Sequence, residues 1–275
     1  MKNSQKKGLK RNTIDKYYTK NDVVDLCLTF VKKYIKIGVN DLIIEPSAGN
    51  GSFIDGIKTL TNNFKFYDIE PEHQDIIKQD YLLFDYNNFI DNYNKIHIIG
   101  NPPFGRQSSI AIKFIKKSCE YCDSISFILP KSFKKDSLQK YFPLNFHMLF
   151  EIDLPNKSFL VNDSEYNVEA VFQIWQKKNI NRVVKDKLQP HNFIFVKKDD
   201  NPDISFRRVG VYAGTIDQTI ENKSIQSHYF IKFTNDKPLI DNIKKLSTIN
   251  YKFNNTVGPK SISKQELMYY FNPLL

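Results

Sequence analysis

The 275-residue chain has few cysteines and no long apolar run. Its three cysteines are an odd number, and no apolar segment follows the basic N-terminus as it would in a secretory signal. We therefore expect a reducing, intracellular setting, either the cytoplasm or, in a eukaryotic host, the nucleus. No stretch reaches the roughly 18 apolar residues of a membrane-spanning helix, so we also expect no membrane span.

Metal-binding patterns are scarce as well. Cys119 and Cys122 form a single CxxC pair inside a helical pattern, and no second pair accompanies them. Zinc needs four ligands, so we predict no metal site. The five histidines form no recognisable constellation and are interpreted as structural or surface residues.

The chain contains many charged residues, and the basic ones outnumber the acidic ones. The formal net charge is +10 and the isoelectric point is about 9.2. A basic excess favours a polyanionic partner such as nucleic acid. The chain is also rich in Lys, Asn and Ile, as AT-rich coding would produce, so charge alone leaves the partner open.

Short apolar runs alternate with helical patterns over the first two thirds of the chain. Such alternation predicts a doubly wound α/β sheet. A helix is expected from Asn21 or Asp22, ended by Gly38. The expected strands are Leu42–Ile44, Phe64–Tyr67, Ile76 to Asp80, Ile96–Gly100, Ile125–Pro130, Phe146–Ile152 and Val168–Trp175, with a long loop over 153–167.

Composition divides the chain into three parts. Residues 1–12 are polar and basic, and predict a flexible arm. Residues 13–178 carry the alternating pattern. Residues 179–275 contain short β-like runs between charged and proline-containing stretches, and predict a small β-rich appendage.

Polar residues follow four of the predicted strands. Glu45, Asp68, Asp80 and Asn101 each stand where a strand ends. In open α/β sheets, ligands bind beyond the carboxyl ends of the strands. The four side chains are therefore predicted to share one ligand site.

A glycine-rich turn follows the first of these strands, in the pattern Glu45-x-x-Ala48-Gly49-x-Gly51. Glycines let a ligand approach the backbone, and the helix that follows offers free N–H groups. The spacing matches neither GxGxxG nor a P-loop, which disfavours NAD and nucleoside triphosphates. An ordinary strand-to-helix turn is the alternative interpretation.

The segment Asn101-Pro102-Pro103-Phe104 is the most informative in the chain. Neither proline can donate to a sheet ladder, so the strand ends here and the backbone is stiff. The Asn101 amide oxygen and the Pro102 carbonyl are then a pair of acceptors for one –NH₂ group. The neighbouring aromatic ring offers a flat face for a planar substrate.

These motifs together resemble the Rossmann-like, S-adenosylmethionine-dependent amino-methyltransferases, in particular the adenine-N6 DNA methyltransferases of the Asn-Pro-Pro-Phe type. The resemblance covers about residues 11–177. It implies the strand order 3-2-1-4-5-7-6 and S-adenosylmethionine as the cofactor. By this resemblance the cofactor-binding residues are Tyr18, Thr19, Glu45, Ser47, Ala48, Gly49, Gly51, Asp68, Ile69, Asp80, Tyr81 and Asn101.

The resemblance also implies the catalytic group, which is Asn101, Pro102, Pro103 and Phe104. Phe104 is predicted to stack on the target base, together with Phe159 or Tyr166. The expected reaction is methylation of the adenine N6 amino group in DNA, on a base flipped out of the duplex. Target recognition is expected in residues 179–275.

Three other functions remain open. An RNA adenine-N6 methyltransferase would have the same site. A protein glutamine methyltransferase uses a similar Asn-Pro-Pro-Tyr motif on a side-chain amide. A nucleic-acid-binding subunit with a vestigial pocket is the third. The sequence does not indicate the oligomeric state, the target sequence or a partner nuclease.

Overall fold

The computed structural model describes residues 16–87, 90–184, 186–251 and 260–275. The chain divides into two units, Met1–Arg182 and Val183–Leu275, whereas the sequence pattern placed the boundary after residue 178. The predicted arm, residues 1–12, lies outside the described residues. Among the described residues, no helix is both long enough and apolar enough to cross a bilayer.

The first unit is built on a seven-stranded sheet. Its strands are β2 (Leu42–Glu45), β3 (Phe64–Asp68), β4 (Ile77–Lys78), β5 (Ile96–Gly100), β6 (Ser124–Pro130), β7 (Phe146–Asp153) and β10 (Ala170–Lys177). They lie in the order β4-β3-β2-β5-β6-β10-β7. Five strands are parallel, and β10 is antiparallel to both of its neighbours. This confirms the predicted doubly wound fold and the order 3-2-1-4-5-7-6.

Apolar side chains cover both faces of this sheet. The central strands β2, β5 and β6 are buried along their whole length, as expected for a sheet with helices on both sides. The helices of the unit are α1 (Asn21–Tyr34), α2 (Ile54–Lys58), α3 (Ser109–Cys119) and α4 (Asp136–Gln139). Helix α1 buries Val23, Val24, Cys27, Leu28 and Val31 along one stripe.

The prediction of a long loop over residues 153–167 was wrong. This segment contains a hairpin of β8 (Phe159–Val161) and β9 (Ser164–Tyr166). The two-residue turn Asn162-Asp163 has positive φ at both positions, as a tight hairpin requires. Strand β1 (Tyr18–Thr19) pairs with β8 and completes a three-stranded sheet.

The second unit contains a four-stranded antiparallel sheet and two helices. Its strands are β11 (Phe193–Val196), β12 (Ile204–Arg207), β13 (Ile216–Asp217) and β14 (His228–Phe233), in the order β11-β14-β12-β13. Helices α5 (Leu239–Ser247) and α6 (Lys264–Phe271) were not predicted. The core of this unit includes Phe206, Ile231, Leu267 and Phe271, all fully buried.

Candidate active site

A cavity of about 450 Å³ lies at the carboxyl ends of β2, β3 and β5. These are the strand ends at which the sequence predicted a ligand site. The predicted residues that line the cavity are Tyr18, Thr19, Glu45, Ser47, Ala48, Gly49, Asp68, Ile69, Asp80, Tyr81, Asn101 and Pro103. The structure therefore brings together residues that are spread over more than eighty positions of sequence.

The glycine turn packs tightly against both the sheet and the N-terminal segment. Gly49 has φ +53°, a conformation that favours glycine. A Cβ atom at this position would lie 3.1 Å from the ring of Tyr18. The Gly49 N–H donates to Asp68 Oδ2 at 2.8 Å, which ties the turn after β2 to the end of β3.

Two of the predicted carboxylates also organise the backbone around them. Asp68 Oδ1 accepts the Glu70 N–H at 2.8 Å, and Asp80 Oδ1 accepts the Leu82 N–H at 2.9 Å. A carboxylate has about four acceptor sites, so both groups keep capacity for a ligand. Between them Ile69, half exposed, lines the cavity with an apolar side chain.

Glu45 is a buried carboxyl group with an unsatisfied oxygen. The residue is 2% exposed, and its Oε2 atom has no hydrogen-bond partner among the described residues. Burial, and then the nearby charge of Asp68, hold the pKa of Glu45 well above its usual range. A cationic group placed in the cavity would relieve both effects.

Residues Lys16–Thr19 form a strap along the cavity wall. Lys16 Nζ donates to Glu72 Oε1 at 2.8 Å and also pairs with Glu70 at 3.0 Å. The Tyr18 hydroxyl donates to Glu72 at 2.6 Å, and burial raises the pKa of Tyr18 to about 12. The Thr19 hydroxyl is buried without a described partner. The strap thus offers the cavity a further unsatisfied polar atom.

The Asn101 amide is held in a defined orientation. Its Nδ2 donates to the Tyr17 carbonyl at 2.9 Å, and its backbone carbonyl accepts the Ser47 hydroxyl at 3.2 Å. No hydrogen bond from a described residue reaches Asn101 Oδ1. Because the donor end of the amide is occupied, the oxygen end remains available as an acceptor. Asn101 and Pro103 line the cavity, whereas Pro102 is buried beside it.

The aromatic residues predicted to stack on a base lie outside the lining. Phe159 is completely buried in the core, with its ring edge-on to Tyr17 at 6.3 Å. Its predicted role in base stacking does not fit this position, because no face of the ring is open. Tyr166 is partly buried and stacks on Tyr17 at 5.6 Å. Phe104 is also partly buried. For Tyr166 and Phe104, base stacking stays a prediction.

The hairpin aromatics instead support the strap. Tyr17 lies between Phe159 and Tyr166, and the Tyr17 carbonyl orients the Asn101 amide. A chain of contacts therefore runs from the hairpin to the free oxygen of Asn101. Of the predicted residues, Gly51 and Pro102 are not among those that line the cavity.

Several lining residues were not among the individually predicted site residues, although Lys16 and Tyr17 belong to the segment Asp15–Thr19 that the family resemblance places at the methionine end of the cofactor. They are Lys16, Tyr17, Pro46, Asn50, Ser52, Phe53, Glu70, Glu72, Gln79, Leu82, Ile110, Lys113 and Phe114. A signal for Glu70 and Glu72 existed, because both follow Asp68 in the same strand-end loop. Lys113 lies within α3, where nothing in the sequence distinguishes it from the other helix lysines.

The charged groups that line the cavity are mainly acidic. Five carboxylates face two lysines, and Lys16 is already paired with Glu70 and Glu72. This electrostatic environment favours a cationic ligand and disfavours a phosphorylated one. Across the described residues, no cluster of three or more His, Cys, Asp or Glu side chains could hold a metal ion.

Curated proteins with similar sequence include two methyltransferases. Type II methyltransferase M.HincII of Haemophilus influenzae is 29% identical over a 127-residue alignment, which covers 42% of this chain and 23% of that protein. This chain resembles type II methyltransferases. M.HindII, from Haemophilus influenzae strain Rd, matches with the same identity and coverage. The alignment therefore spans less than a quarter of each relative, and no family model matches the chain.

Solved methyltransferase structures align with the chain at low identity. A Pyrococcus horikoshii protein, provisionally assigned as an RNA methyltransferase, has a TM-score of 0.48 and 15% identity, covering 62% of this chain and 92% of that one. The type I restriction-modification methyltransferase subunit of Streptococcus thermophilus has a TM-score of 0.45 and 13% identity, covering 62% and 46%. The strand order of the chain itself, rather than these alignments, establishes its fold.

Proposed function

We propose that this chain transfers a methyl group from S-adenosylmethionine to the N6 amino group of adenine in DNA. The observation that carries the proposal is the oriented Asn101 amide, whose free oxygen stands at the wall of an acidic cavity. The similarity to type II methyltransferases, within the matched residues, supports the same reaction class.

The cavity suits S-adenosylmethionine in its charge and in its hydrogen-bonding groups. The unsatisfied Glu45 Oε2 and Thr19 Oγ1 would accept from the ammonium group of the methionine end. Asp68 keeps acceptor capacity for ribose hydroxyls, and Ile69 provides an apolar surface for the adenine. The surplus of carboxylates stabilises a ligand that carries a sulfonium and an ammonium group.

The amino group to be methylated needs activation. The adenine N6 lone pair is delocalised into the ring, which makes the nitrogen a weak nucleophile. Asn101 Oδ1 and the Pro102 carbonyl would accept its two N–H bonds and favour a pyramidal nitrogen. The same two oxygens stabilise the positive charge that develops on nitrogen in the transition state. When bound, the cofactor would supply an electrophilic methyl group and leave as a neutral thioether, and the methylated nitrogen would release one proton to solvent.

A base in a duplex must leave the stack to reach Asn101. Phe104, with Tyr166 as the candidate second ring, would stack on the extruded adenine. Stacking of this kind is worth about 1–3 kcal/mol per base, comparable with the few kcal/mol needed for unstacking. The aromatic side chains would therefore offset most of the free energy of base flipping.

The test is a product analysis. Purified protein is incubated with isotopically labelled S-adenosylmethionine and either duplex DNA or RNA of mixed sequence. Mass spectrometry of the digested nucleosides should then detect labelled N6-methyladenine from DNA. Label only in RNA would establish the RNA alternative, and label in neither, with no cofactor binding by calorimetry, would overturn the proposal.

A further inference from the structure

A turn in the second unit exposes two large apolar side chains. The turn comprises Gly210–Gly214, and we call it the tip loop. Val211 is 89% exposed and Tyr212 is 71% exposed. Single exposed apolar residues are normal on protein surfaces, but two adjacent ones in a turn form a small exposed apolar patch.

The tip loop is ordered by its own backbone. The Ala213 N–H donates to the Gly210 carbonyl at 3.0 Å, and the Gly214 N–H donates to the Arg207 carbonyl at 2.7 Å. Gly210 and Gly214 have φ of +96° and +104°. A Cβ atom on Gly214 would lie 2.7 Å from the Tyr251 ring, so only glycine fits there. An ordered tip loses little conformational entropy when it binds.

Cationic side chains flank the tip loop. Arg207 directs its Nε to the Val209 carbonyl at 3.1 Å, and one of its terminal nitrogens lies 3.6 Å from the Cβ position of Gly210. Arg208 packs over the Tyr229 ring at 5.1 Å, and its buried Nε has no hydrogen-bond partner in the described part of the chain. The Lys260 carbonyl accepts the Gly210 N–H at 2.9 Å.

These cations lack carboxylate partners within the part of the chain that the structure describes. Among those residues, Arg207, Arg208 and Lys260 take part in no ion pair. By contrast, Lys223 of the same unit pairs with Asp217. Arginines without carboxylate partners can bind anionic groups, and the adjacent apolar patch can contact aromatic rings. The two together fit a ligand with anionic groups at its surface and aromatic rings in its interior. Duplex DNA has both properties, with phosphates at its surface and stacked bases within.

We infer that the tip loop is a wedge for duplex DNA, in which Val211 and Tyr212 insert between base pairs while Arg207 and Arg208 contact phosphates. Apolar side chains that insert between base steps unstack them and kink the duplex. This inference rests on the proposed function and deepens it, because it assigns a DNA-contacting surface to the second unit. A protein partner fits less well, since a stable interface needs about 800 Å² per partner, far more than two side chains supply.

The test compares a tip variant with a matched control. The double variant Val211→Ser, Tyr212→Ser removes the apolar patch. The control is the double variant Val39→Ser, Tyr269→Ser, which removes side chains that are 88% and 61% exposed at other places on the surface. Anisotropy measures affinity for a duplex of mixed sequence, and 2-aminopurine placed in the duplex reports unstacking. Calorimetry with S-adenosylmethionine is run on all three proteins.

The tip variant should bind the duplex at least about tenfold more weakly, because stacking of one base accounts for that much. It should also lose the 2-aminopurine signal, while the control keeps both. Arg207→Gln should lower the salt dependence of binding by about one counterion. Equal binding and unstacking by the tip variant and the wild type would overturn the wedge while leaving methyl transfer intact. A wild-type protein that binds cofactor but no duplex would overturn it too.

Discussion

The two units of this chain differ in the groups that they leave available to a ligand. In the first unit, the buried oxygens without a described partner include Glu45 Oε2 and Thr19 Oγ1, which belong to residues that line the cavity, as Asn101 also does. In the second unit, the Arg208 Nε and the Tyr251 hydroxyl are buried without a partner among the described residues, and Arg208 lies close in sequence to an exposed apolar turn. Buried polar groups are normally paired within a fold. The acidic cavity of the first unit is therefore suited to a small cationic ligand, whereas the wedge proposed for the second unit requires an anionic one.

The strongest test of the first half of this comparison is Asn101→Ala. We expect a loss of about 100- to 1,000-fold in turnover, the range found when one preorganised polar group at a transition state is removed. Cofactor affinity should change little, because the cofactor depends on other lining residues. Single-turnover methylation and calorimetry with S-adenosylmethionine measure the two quantities.

Asn101→Asp is the matched control for that variant. It keeps an oxygen acceptor at the position but loses the Nδ2 donor that orients the side chain toward the Tyr17 carbonyl. Turnover between the wild type and Asn101→Ala is expected. Wild-type turnover in Asn101→Ala would remove the main support for the proposed mechanism.

Asp68→Ala tests whether the cavity holds a cofactor. The change removes the acceptor for the Gly49 and Glu70 N–H groups and the one proposed for ribose. An unsatisfied group costs about 1–3 kcal/mol, so we expect roughly 10- to 100-fold weaker cofactor binding by calorimetry. Asp75→Ala, whose carboxylate pairs with Lys58 outside the cavity, should bind normally. Equal affinities in the two variants would argue against a cofactor at this position.

Arg182→Gln tests whether the two units unfold independently of each other. The Arg182 guanidinium donates to the carbonyls of Gln139, Phe142, Pro143 and Phe146, at the end of the first unit. Losing these bonds should destabilise that unit by about 1–3 kcal/mol.

Scanning calorimetry is the readout for Arg182→Gln. The transition of the first unit should move to lower temperature while that of the second stays in place. Lys178→Gln, an exposed neighbour, serves as the control. A shared shift of both transitions would mean that the units unfold together.

Glu45→Gln should have the smallest effect on cofactor affinity and should change the pH dependence of that affinity. Because burial raises the pKa of Glu45, the carboxyl group holds its proton in the free protein at pH values where an ordinary Glu is ionised. A cationic ligand favours the ionised form, so binding should release a proton, and affinity should rise with pH up to the raised pKa.

Calorimetry in two buffers of different ionisation enthalpy measures the number of protons released when the cofactor binds. The wild type should release a fraction of a proton that falls as pH rises, whereas Glu45→Gln should release none from this site. The Asp75→Ala variant should behave as the wild type. Identical proton release in the wild type and Glu45→Gln would show that Glu45 does not contact the ligand's charge.

Much of the fold was predictable because strand ends are marked by special residues. The run of Leu42–Ile44 before the glycine turn, and of Ile96–Gly100 before Asn101, predicted two central strands and the edge where the cavity lies. The hairpin at 159–166 was missed because its strands have three residues each. The Asn162-Asp163 pair was the available signal, since both residues tolerate positive φ.

Other elements also had signals that were overlooked. Helix α6 begins with a capping box, in which Ser263 accepts the Glu266 N–H and Glu266 accepts the Ser263 N–H. Phe159 could not have been assigned correctly from sequence. Whether an aromatic residue faces a cavity or the core depends on how its strand packs. Phenylalanine occurs in both environments, so its identity alone does not distinguish them.

The sequence by itself determined the strands of the doubly wound sheet and the edge at which the polar residues meet, whereas the strand order was implied by the family resemblance. Hydrophobic runs and turn residues act locally, so a linear pattern carries them. Only the tertiary structure decided that Tyr17 orients the Asn101 amide, that Glu45 Oε2 lacks a partner among the described residues and that Val211 and Tyr212 project from an ordered turn. Those properties depend on groups distant in sequence, and on burial, which is a property of the folded chain alone.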